Sequence, residues 1–545
     1  MKFPEKSSLA ILTVLCTVTA QSAAAVVEKP DLYELSIVHL SDFHSRYEPV
    51  SPPSGSLCYD ADKCVGGIAR VARIVKRYKE NQPNALFLNA GDNFQGTLYY
   101  DLYRGNITAP FMNDLPHDAM TIGNHDFDDG VSGFASFARQ LRAPVVVANI
   151  DTSKEPSMKN VYTNSTTIVK GGKRIGIIGV IFSDTDKISK TTGKLKFLDE
   201  VETVNAEAKK LKAQGVDIVV VLSHCGIDRD KLMAKECPDI NVIVGGHSHI
   251  LLWSGANSPP SGELAYDKYP IAVTQRDNTN KTVLIVHAGA YTKYVGDLKV
   301  VFNERNEIVT WSGNPIYLDR AVKEDPAILE KLRPWKIGVD KVGKVHVGET
   351  RVFLNGTCST GDCSFADFIT DVMVDKYAGS ANISLNSALN IQNSIPAGEI
   401  VYEDIYMTLP YNNTWDLIEL AGSDLLKILE ENVAVSVSNT SFINYKLLHW
   451  SGLKVTYNLK NTNSKVVEVK VRCSQCTEEF EILDLQKRYR IVVASYLLTS
   501  AYKTIQKKHR LIVKGETRDV DNLVDYVKRV KVINDVKPGA RMIFQ

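Results

Sequence analysis

Short apolar runs alternate with amphipathic stretches along the first half of the chain. Apolar runs that end at turn residues are typical of buried strands, whereas apolar positions at helical spacing are typical of helices. The runs predicted as strands are residues 35–40, 85–90, 119–123, 144–149, 174–181, 216–222 and 241–244. The stretches predicted as helices are residues 66–79, 134–141 and 201–214. Such alternation predicts an α/β fold.

The pattern changes before the second half begins. A helical stretch starts at residue 327, and Pro334 with its polar flanks indicates a connector, after which strands and helices alternate again. A chain of 545 residues is too long for one compact core, so we expect two large domains. The predicted divisions are a leader at 1–25, domains at 26–325 and 343–545, and a linker helix at 326–342.

The N-terminus has the pattern of a secretory signal peptide. Lys2 and Lys6 precede an apolar run at residues 9–20, and small residues follow at 22–25. The C-terminus has no hydrophobic tail, so no lipid anchor is expected. We therefore expect a secreted, extracellular protein without a membrane anchor. The formal net charge of +1 gives no basis for a nucleic-acid partner, and the sequence leaves the oligomeric state open.

Cysteine spacing and glycosylation acceptors agree with export. Eight cysteines of the expected mature chain fall in close pairs, which predicts local disulfides. The pairs are Cys58 with Cys64, Cys225 with Cys237, Cys358 with Cys363, and Cys473 with Cys476. Two alternatives are a redox or zinc motif at Cys473 and Cys476, and a metal-ligand role for Cys225. Acceptor asparagines for glycosylation are Asn106, Asn164, Asn280, Asn355, Asn382, Asn412 and Asn439.

Side chains that bind metals follow the ends of the predicted strands. In α/β sheets ligands bind beyond the carboxyl ends of the strands, so these side chains are expected to meet. They are Asp42 and His44, then Asp92, then Asn124, His125 and Asp128, then His224, and finally His247 and His249. Asp126, within the same stretch, receives no role.

Two-metal phosphoester hydrolysis explains these residue types. Two cations about 3.5–4 Å apart bind a phosphate and stabilise the attack of water on it. A carboxylate such as Asp92 can bridge both ions, and mixed nitrogen and oxygen ligands suit zinc, manganese or iron better than calcium. His125 is better placed as a proton donor to the phosphate or leaving group, oriented by Asp128.

These motifs resemble the calcineurin-like metallophosphoesterases. The order of Asp42, His44, Gly91-Asp-Asn93, Gly123-Asn-His-Asp126, His224 and Gly246-His-Ser-His249 is most similar to secreted 5′-nucleotidases and apyrases, including salivary apyrases of blood-feeding arthropods. The resemblance implies a two-metal β-sandwich flanked by helices, a helical linker and a C-terminal α/β substrate domain. One implied ligand set is Asp42, His44, Asp92 and His249, and the other is Asp92, Asn124, His224 and His247. It also makes His125 and Asp128 the catalytic dyad and places Arg46 beside the metals.

The second half departs from the resembled family. Ser359 stands where the family has an arginine, and residues 386–391 keep Asn386 but lose the arginine of the corresponding motif. A match shifted by one residue puts Gln392 at that arginine position, so the charge is lost in either case. Tyr502 replaces the carboxylate expected on ribose. Tyr411 and Tyr496 match the aromatic pair that stacks on a base, although a glycan at Asn412 would lie beside Tyr411. Asn386, Tyr411 and Tyr496 remain the predicted substrate-binding residues, with Arg46.

The first hypothesis is therefore a secreted phosphohydrolase for extracellular ATP, ADP or AMP. It would use two divalent ions, zinc, manganese or another metal, with stimulation by calcium left open, and by resemblance it would inhibit platelet aggregation in a host. Two alternatives follow from the changed second half: a phosphohydrolase with a non-nucleotide substrate, and a secreted binding protein with a degraded nucleotide pocket.

Overall fold

The computed structural model describes residues 1, 32–189, 191–277, 281–434, 446–473, 478–499, 502–536 and 539–545. The predicted leader, apart from Met1, lies outside these residues, as do the acceptors Asn280 and Asn439. No helix within the described ranges is both long and apolar enough to cross a bilayer.

The first half contains two large sheets and the helices that cover them. Its strands are β1 (Tyr33–Leu40), β2 (Ala85–Asn89), β3 (Ala119–Met120), β4 (Ile150–Asp151), β5 (Ser165–Lys170), β6 (Lys173–Ile181), β7 (Lys196–Phe197), β8 (Ile218–His224), β9 (Val242–Gly245), β10 (Ile271–Thr274), β11 (Thr282–Val286), β12 (Tyr294–Phe302), β13 (Ile308–Gly313) and β14 (Ile316–Tyr317). Its helices are α1 (Ile68–Asn81), α2 (Leu98–Tyr103), α3 (Gly105–Met112), α4 (Gly130–Gln140), α5 (Thr185–Ile188), α6 (Glu200–Ala213), α7 (Ile227–Glu236) and α8 (Pro326–Gly343).

The two sheets form a β-sandwich. One has the order β13-β12-β1-β2-β3, with β14 also paired to β12, and the other has the order β10-β11-β9-β8-β6-β5. Leu35 and Leu86 of the first sheet share one fully buried cluster with Ile175 and Val220 of the second. The sequences of these strands are continuous apolar runs because most of the strands are covered on both faces, as in parallel sheets flanked by helices.

Parallel pairing brings the ends of the central strands together. In one sheet β1 pairs parallel to β2 and β2 parallel to β3; in the other β6, β8 and β9 are parallel neighbours. The carboxyl ends of these strands therefore share one edge of each sheet, and the predicted metal residues leave the sheets there. The α/β prediction is confirmed, although residues 144–149 form only isolated bridges at Val145 and Val146 instead of a strand.

The predicted disulfide between Cys225 and Cys237 is wrong. Both are buried free thiols, whereas Cys58–Cys64 and Cys358–Cys363 are disulfides as predicted. Helix α7 lies between Cys225 and Cys237, and ten helical residues extend about 15 Å, well beyond disulfide reach. Cys473 is also disulfide-bonded, while Cys476 lies outside the described residues.

The described residues of the second half form three smaller sheets. Its strands are β15 (His346–Thr350), β16 (Ile383–Ser387), β17 (Gly398–Val401), β18 (Trp415–Ala421), β19 (Leu448–Ser451), β20 (Leu453–Tyr457), β21 (Val466–Arg472), β22 (Phe480–Ile482), β23 (Arg488–Ala494), β24 (Arg510–Val513), β25 (Val532–Ile533) and β26 (Met542–Phe544). Its helices are α9 (Ser364–Lys376), α10 (Tyr402–Thr408), α11 (Gly422–Asn432), α12 (Lys503–Lys508) and α13 (Asp519–Val530). The sheet orders are β19-β16-β23-β18-β24, β22-β21-β20-β26 and β17-β15-β25.

Helix α8 leads from one half to the other. Asp325 caps it by accepting hydrogen bonds from the backbone N–H groups of Ala327 and Ile328, and Pro326 occupies a position where no N–H donor is needed. The halves also touch directly: Gln95 donates to the Pro410 carbonyl at 2.9 Å, and the Tyr59 hydroxyl donates to Asp404 at 2.8 Å. These contacts hold the second half against the edge where the strand ends meet.

Candidate metal centre

Six of the seven side chains predicted as metal ligands converge where the strand ends meet. Ligand atoms of four residues lie within 4.8 Å of one another, and a second group of three residues meets the same limit. The first group is Asp42, His44, Asp92 and His249, and the second is Asp92, His224 and His247. The predicted seventh ligand, Asn124, begins the 3₁₀ turn Asn124–Phe127, next to His125.

Asp92 stands between the two groups. Its Oδ2 atom lies 3.6 Å from His44 Nε2 on one side and 3.1 Å from His224 Nε2 on the other. Its Oδ1 atom accepts the backbone N–H of His125 at 2.8 Å. Gly123 permits this approach, because a Cβ atom there would lie 2.0 Å from Asp92 Oδ1. A single carboxylate thus faces both groups of ligands.

The loops that hold these side chains have an unusual backbone. Asp42, His44, Asp92, His247 and His249 all have positive φ angles, between 47° and 73°. Residues with a Cβ rarely adopt this left-handed conformation, and such residues cluster at functional sites, where the surrounding structure maintains them. The short loops after β1, β2 and β9 use it to aim successive polar side chains at one point.

The hydrogen bonds of the site fit bound cations. His224 Nδ1 lies 2.7 Å from the Ala90 carbonyl, so it donates there, and Nε2 faces the Asp92 carboxylate. Metal-binding histidines commonly have this second hydrogen bond to a carbonyl. Asp42 Oδ2 and Asn124 Oδ1 are buried without a hydrogen-bond partner in the described part of the chain. Unsatisfied acceptors that converge with a carboxylate are the arrangement that a divalent cation would satisfy.

The environment sets the protonation of the other histidines. Burial and, to a smaller extent, the neighbouring His224 lower the pKa of His247 to about 3, so the His247 imidazole is neutral. Burial also lowers the pKa of His44 well below its usual value. Neutral imidazole is the form that binds metal ions.

His125 has the opposite charge preference. Burial by itself lowers its pKa, but the carboxylates of Asp128 and Asp92 outweigh burial and raise it to about 9. His125 Nδ1 lies 2.9 Å from Asp128 Oδ2, which leaves Nε2 for another partner. The ring lies beside His44, with the ring centroids 5.3 Å apart. His125 can therefore hold a proton next to the metal groups, as expected of the predicted dyad.

Asp126 has a clear structural role that the sequence did not reveal. Its buried carboxylate accepts backbone N–H groups from Asp92, Asn93 and Phe94 at 3.1, 2.9 and 3.2 Å, and that of Gly123 at 2.9 Å. It thereby joins the loop after β2 to the turn that contains Asn124. Burial, with Asp92, raises the pKa of Asp126 to about 7. No sequence signal links Asp126 to N–H groups more than thirty residues away.

Tyr291 is the second residue that sequence reasoning missed. Its ring lies 5.5 Å from the His44 ring and 5.2 Å from the His249 ring, between centroids. The guanidinium of Arg46 packs over the Tyr291 ring, with Cζ 4.2 Å from the ring centroid. Arg46 is buried and donates to the carbonyls of His44 and Gly55. Arg46 thus lies beside Tyr291, where it supports the loop of His44.

One of the predicted substrate residues of the second half, Tyr411, lies beside the metal groups. The Tyr411 ring is 6.0 Å from the His125 ring, between centroids. Burial raises the pKa of Tyr411 well above its usual value, and the neighbouring Tyr291 and Tyr496 add to this rise. Tyr496 has a side-chain hydrogen bond with Ser387, the neighbour of Asn386. Asn386 is buried, with Oδ1 accepting from Ser387 N–H at 3.0 Å. The structure therefore places Tyr411 beside His125, and Tyr496 near Tyr411.

The residues that stand where the family has charged groups form hydrogen bonds with other parts of the protein. The Tyr502 hydroxyl is buried and donates to Asn432 Oδ1 at 2.7 Å. Gln392 accepts from the Tyr291 hydroxyl at 3.5 Å and donates to the Leu389 carbonyl. Asn412 is exposed, and its side-chain oxygen accepts from Arg518 at 3.1 Å.

Comparison with known proteins confirms the resemblance seen in the sequence. Residues 35–251 match the calcineurin-like phosphoesterases, and residues 341–506 match the 5′-nucleotidase C-terminal domain. An apyrase of Tabanus yao is 40% identical over 527 residues, covering 94% of this chain and 94% of that protein. The 5′-nucleotidase of Rattus norvegicus is 34% identical, covering 93% and 90% of the two chains.

Solved structures agree with these sequence relatives. The 5′-nucleotidase precursor from Thermus thermophilus superposes with a TM-score of 0.81 at 32% identity, over 94% of this chain and 99% of that one. The calcineurin-like fold implies divalent metal ions, and the two groups around Asp92 are clusters that could hold them. From this agreement of sequence, fold and site, the chain belongs to the apyrase and 5′-nucleotidase family and is a nucleotide phosphohydrolase.

Proposed function

We propose that the chain is a secreted two-metal phosphohydrolase that removes phosphate from extracellular ATP, ADP or AMP. The observation that carries this proposal is the position of Asp92, whose Oδ2 atom faces His44 on one side and His224 on the other. One ion would be held by Asp42, His44, Asp92 and His249, and the other by Asp92, Asn124, His224 and His247. The mixture of imidazole, carboxylate and amide ligands favours zinc or manganese.

The residues around the metals would donate a proton, orient the donor and bind the nucleobase. When bound, two divalent ions polarise the phosphate and make a water nucleophilic at neutral pH. His125, protonated at neutral pH, donates a hydrogen bond or a proton to an oxygen of the phosphate or of the leaving group. Asp128 orients the His125 ring through Nδ1. Tyr411 and Tyr496 offer ring faces on which a nucleobase stacks.

Export and physiological role extend the proposal. The leader pattern at residues 1–25 and the local disulfides support secretion. Exposed acceptors at Asn106, Asn164, Asn382 and Asn412 are accessible for glycosylation. Removing ADP outside the cell would inhibit platelet aggregation. The proposal keeps the predicted division into domains at 26–325 and 343–545 with a linker at 326–342.

A phosphate-release panel tests the proposed activity. Purified protein is incubated with ATP, ADP and AMP, with and without a chelator, and then with zinc, manganese or calcium added back. We expect release from at least one nucleotide, its loss with chelator, and its recovery with zinc or manganese. Release that a chelator leaves unchanged would contradict the two-metal proposal, and release from none of the nucleotides would contradict the substrate.

A phosphohydrolase with a changed substrate is the second candidate. It is favoured by Ser359 and Gln392 near the positions where the family has arginines, because each lost charged hydrogen bond weakens substrate binding by about 1.5–3 kcal/mol. A chromogenic phosphomonoester added to the same panel separates the two candidates. Equal kcat/KM for this compound and AMP favours the changed substrate, whereas a strong preference for a nucleotide excludes it.

Asp126→Asn is expected to weaken metal binding while the protein remains folded. The amide retains one acceptor but turns an NH₂ group toward backbone donors, which loosens the loop of Asp92 from the turn of Asn124. Loss of such supporting hydrogen bonds typically lowers metal affinity about 10–100-fold. Competition with a chelator measures this affinity, alongside phosphate release and the thermal midpoint.

Asp129→Asn is the matched control, because Asp129 is exposed and only three residues away. It should leave metal affinity unchanged. If Asp126→Asn lowered only the thermal midpoint and left metal affinity as in the unmodified protein, Asp126 would be a stabilising residue without a role in positioning the ligands.

A further inference from the structure

Basic residues are concentrated near the end of the second half. The chain has 64 lysines and arginines against 63 aspartates and glutamates, so its charges nearly balance. Residues 485–515, however, contain eight lysines and arginines and no acidic residue. The eight are Lys487, Arg488, Arg490, Lys503, Lys507, Lys508, Arg510 and Lys514. Such a short basic run in a neutral chain indicates a local surface for anions.

The structure gathers part of this run into a groove beside helices α11 and α12. The groove has a volume of about 660 Å³. Five lysines line it, two of them from elements outside the basic run: Lys427, Lys465, Lys503, Lys507 and Lys508. We name this surface the lysine groove. Because helix α11, helix α12 and the loop before β21 converge there, the tertiary structure adds Lys427 and Lys465 to the lysines of the sequence run.

Two glutamates also line the lysine groove, but both are engaged. Glu430 accepts the backbone N–H groups of Lys465 and Val466 at 3.0 and 2.9 Å. Glu431 accepts the hydroxyl of Thr504 on α12. Their carboxylates hold the walls of the groove together, and five lysines outnumber two glutamates, so the groove retains a positive charge.

Four of the lysines are available to a ligand. Lys427, Lys503, Lys507 and Lys508 are exposed, and none has an ion pair within the described residues. Lys503 and Lys507 are one helical turn apart on α12, where like charges repel and destabilise a helix. A ligand with several negative charges would relieve this repulsion at more than one lysine.

The rest of the lining indicates which polyanion fits. The groove contains no aromatic residue and, apart from Ala434, no apolar one among the described residues. Single-stranded nucleic acids bind through stacking on aromatic rings, and protein partners bind through aromatic or aliphatic anchors. Lysine ammonium groups without such anchors suit repeated, well-hydrated anionic groups. We propose that the lysine groove binds a sulfated polysaccharide, an activity beyond the proposed hydrolysis and independent of it.

Binding of a fluorescent heparin octasaccharide to the full chain tests this proposal. In the groove variant, Lys427, Lys503, Lys507 and Lys508 are all replaced by glutamine. The control variant replaces Lys154, Lys159, Lys194 and Lys209, which are exposed residues of the first half, so both variants lose the same charge. We expect the Kd for the octasaccharide to be at least about tenfold higher in the groove variant. The slope of log K against log salt concentration should also be smaller by about three, because four lysine contacts are lost.

The remaining measurements distinguish specific binding in the lysine groove from nonspecific binding through the net charge of the protein. The control variant should keep its affinity within about twofold, desulfated heparin should fail to bind, and nucleotide hydrolysis should be unchanged in both variants. Equal weakening in the two variants, or no weakening in either, would overturn the proposal. The proposal would also be overturned if oligodeoxythymidine or phosphatidylserine vesicles bound more tightly than the octasaccharide and the groove variant lost that binding.

Discussion

Asp92→Asn is expected to reduce phosphate release by about a thousandfold. Two metal ions contribute several kcal/mol of charge stabilisation to phosphoryl transfer, and about 1.4 kcal/mol corresponds to tenfold in rate. The amide keeps an oxygen for the backbone N–H of His125, so the local fold should survive. It loses the negative charge that lies between His44 and His224, so at least one ion should be lost.

Metal content and kinetics measure this outcome together. Elemental analysis of the purified variant should show fewer ions per chain than in the unmodified protein, and excess metal should restore only part of the activity. Asp129→Asn controls for removal of a nearby exposed carboxylate and should retain both metals and activity. If Asp92→Asn kept more than about a tenth of the activity, Asp92 would not bridge two catalytic ions.

His125→Gln is expected to lower kcat about 10²–10⁴-fold with a much smaller change in KM. The imidazole is not among the two metal groups, so its removal should leave metal content intact. The proton that His125 holds at neutral pH would no longer be available to the phosphate or the leaving group. This separation of kcat from metal content distinguishes His125 from Asp92.

Asp128→Asn should have a smaller effect in the same direction. The asparagine can still contact His125 Nδ1, but it removes one of the two carboxylates that raise the pKa of His125. The basic limb of the kcat profile should therefore move to lower pH, because His125 would lose its proton earlier. If the limb stayed in place while kcat fell, Asp128 would act only by orienting the ring.

The sequence determined the positions of the metal residues with little help from tertiary structure. Buried parallel strands require apolar runs, and polar residues that follow such runs leave the sheet at its carboxyl edge. Asp42, Asp92, Asn124, His224 and His247 could be placed at one site for that reason. The two disulfides within six residues were also predictable, because short loops keep their ends close.

Contacts between distant segments were beyond the sequence patterns. The Asp126 carboxylate binds N–H groups of the loop after β2, and nothing in the local pattern of residues 123–128 indicates those partners. Tyr291 reaches His44 and Arg46 only because β12 and β1 are neighbours in the sheet. Spacing suggested a disulfide at Cys225 and Cys237, but helix α7 separates the two thiols.

The sequence by itself therefore determined a set of candidate metal ligands at the ends of buried strands, and the two-metal chemistry proposed here follows from them. Only the tertiary structure decided how the site is supported and what faces it. It joined the two ligand loops through Asp126, packed Tyr291 against the histidines, and brought Tyr411 beside His125. The spacing of apolar residues reflects the geometry of a single strand or helix, so it can be recognised in the sequence. The contacts named above depend instead on how separate elements pack against each other.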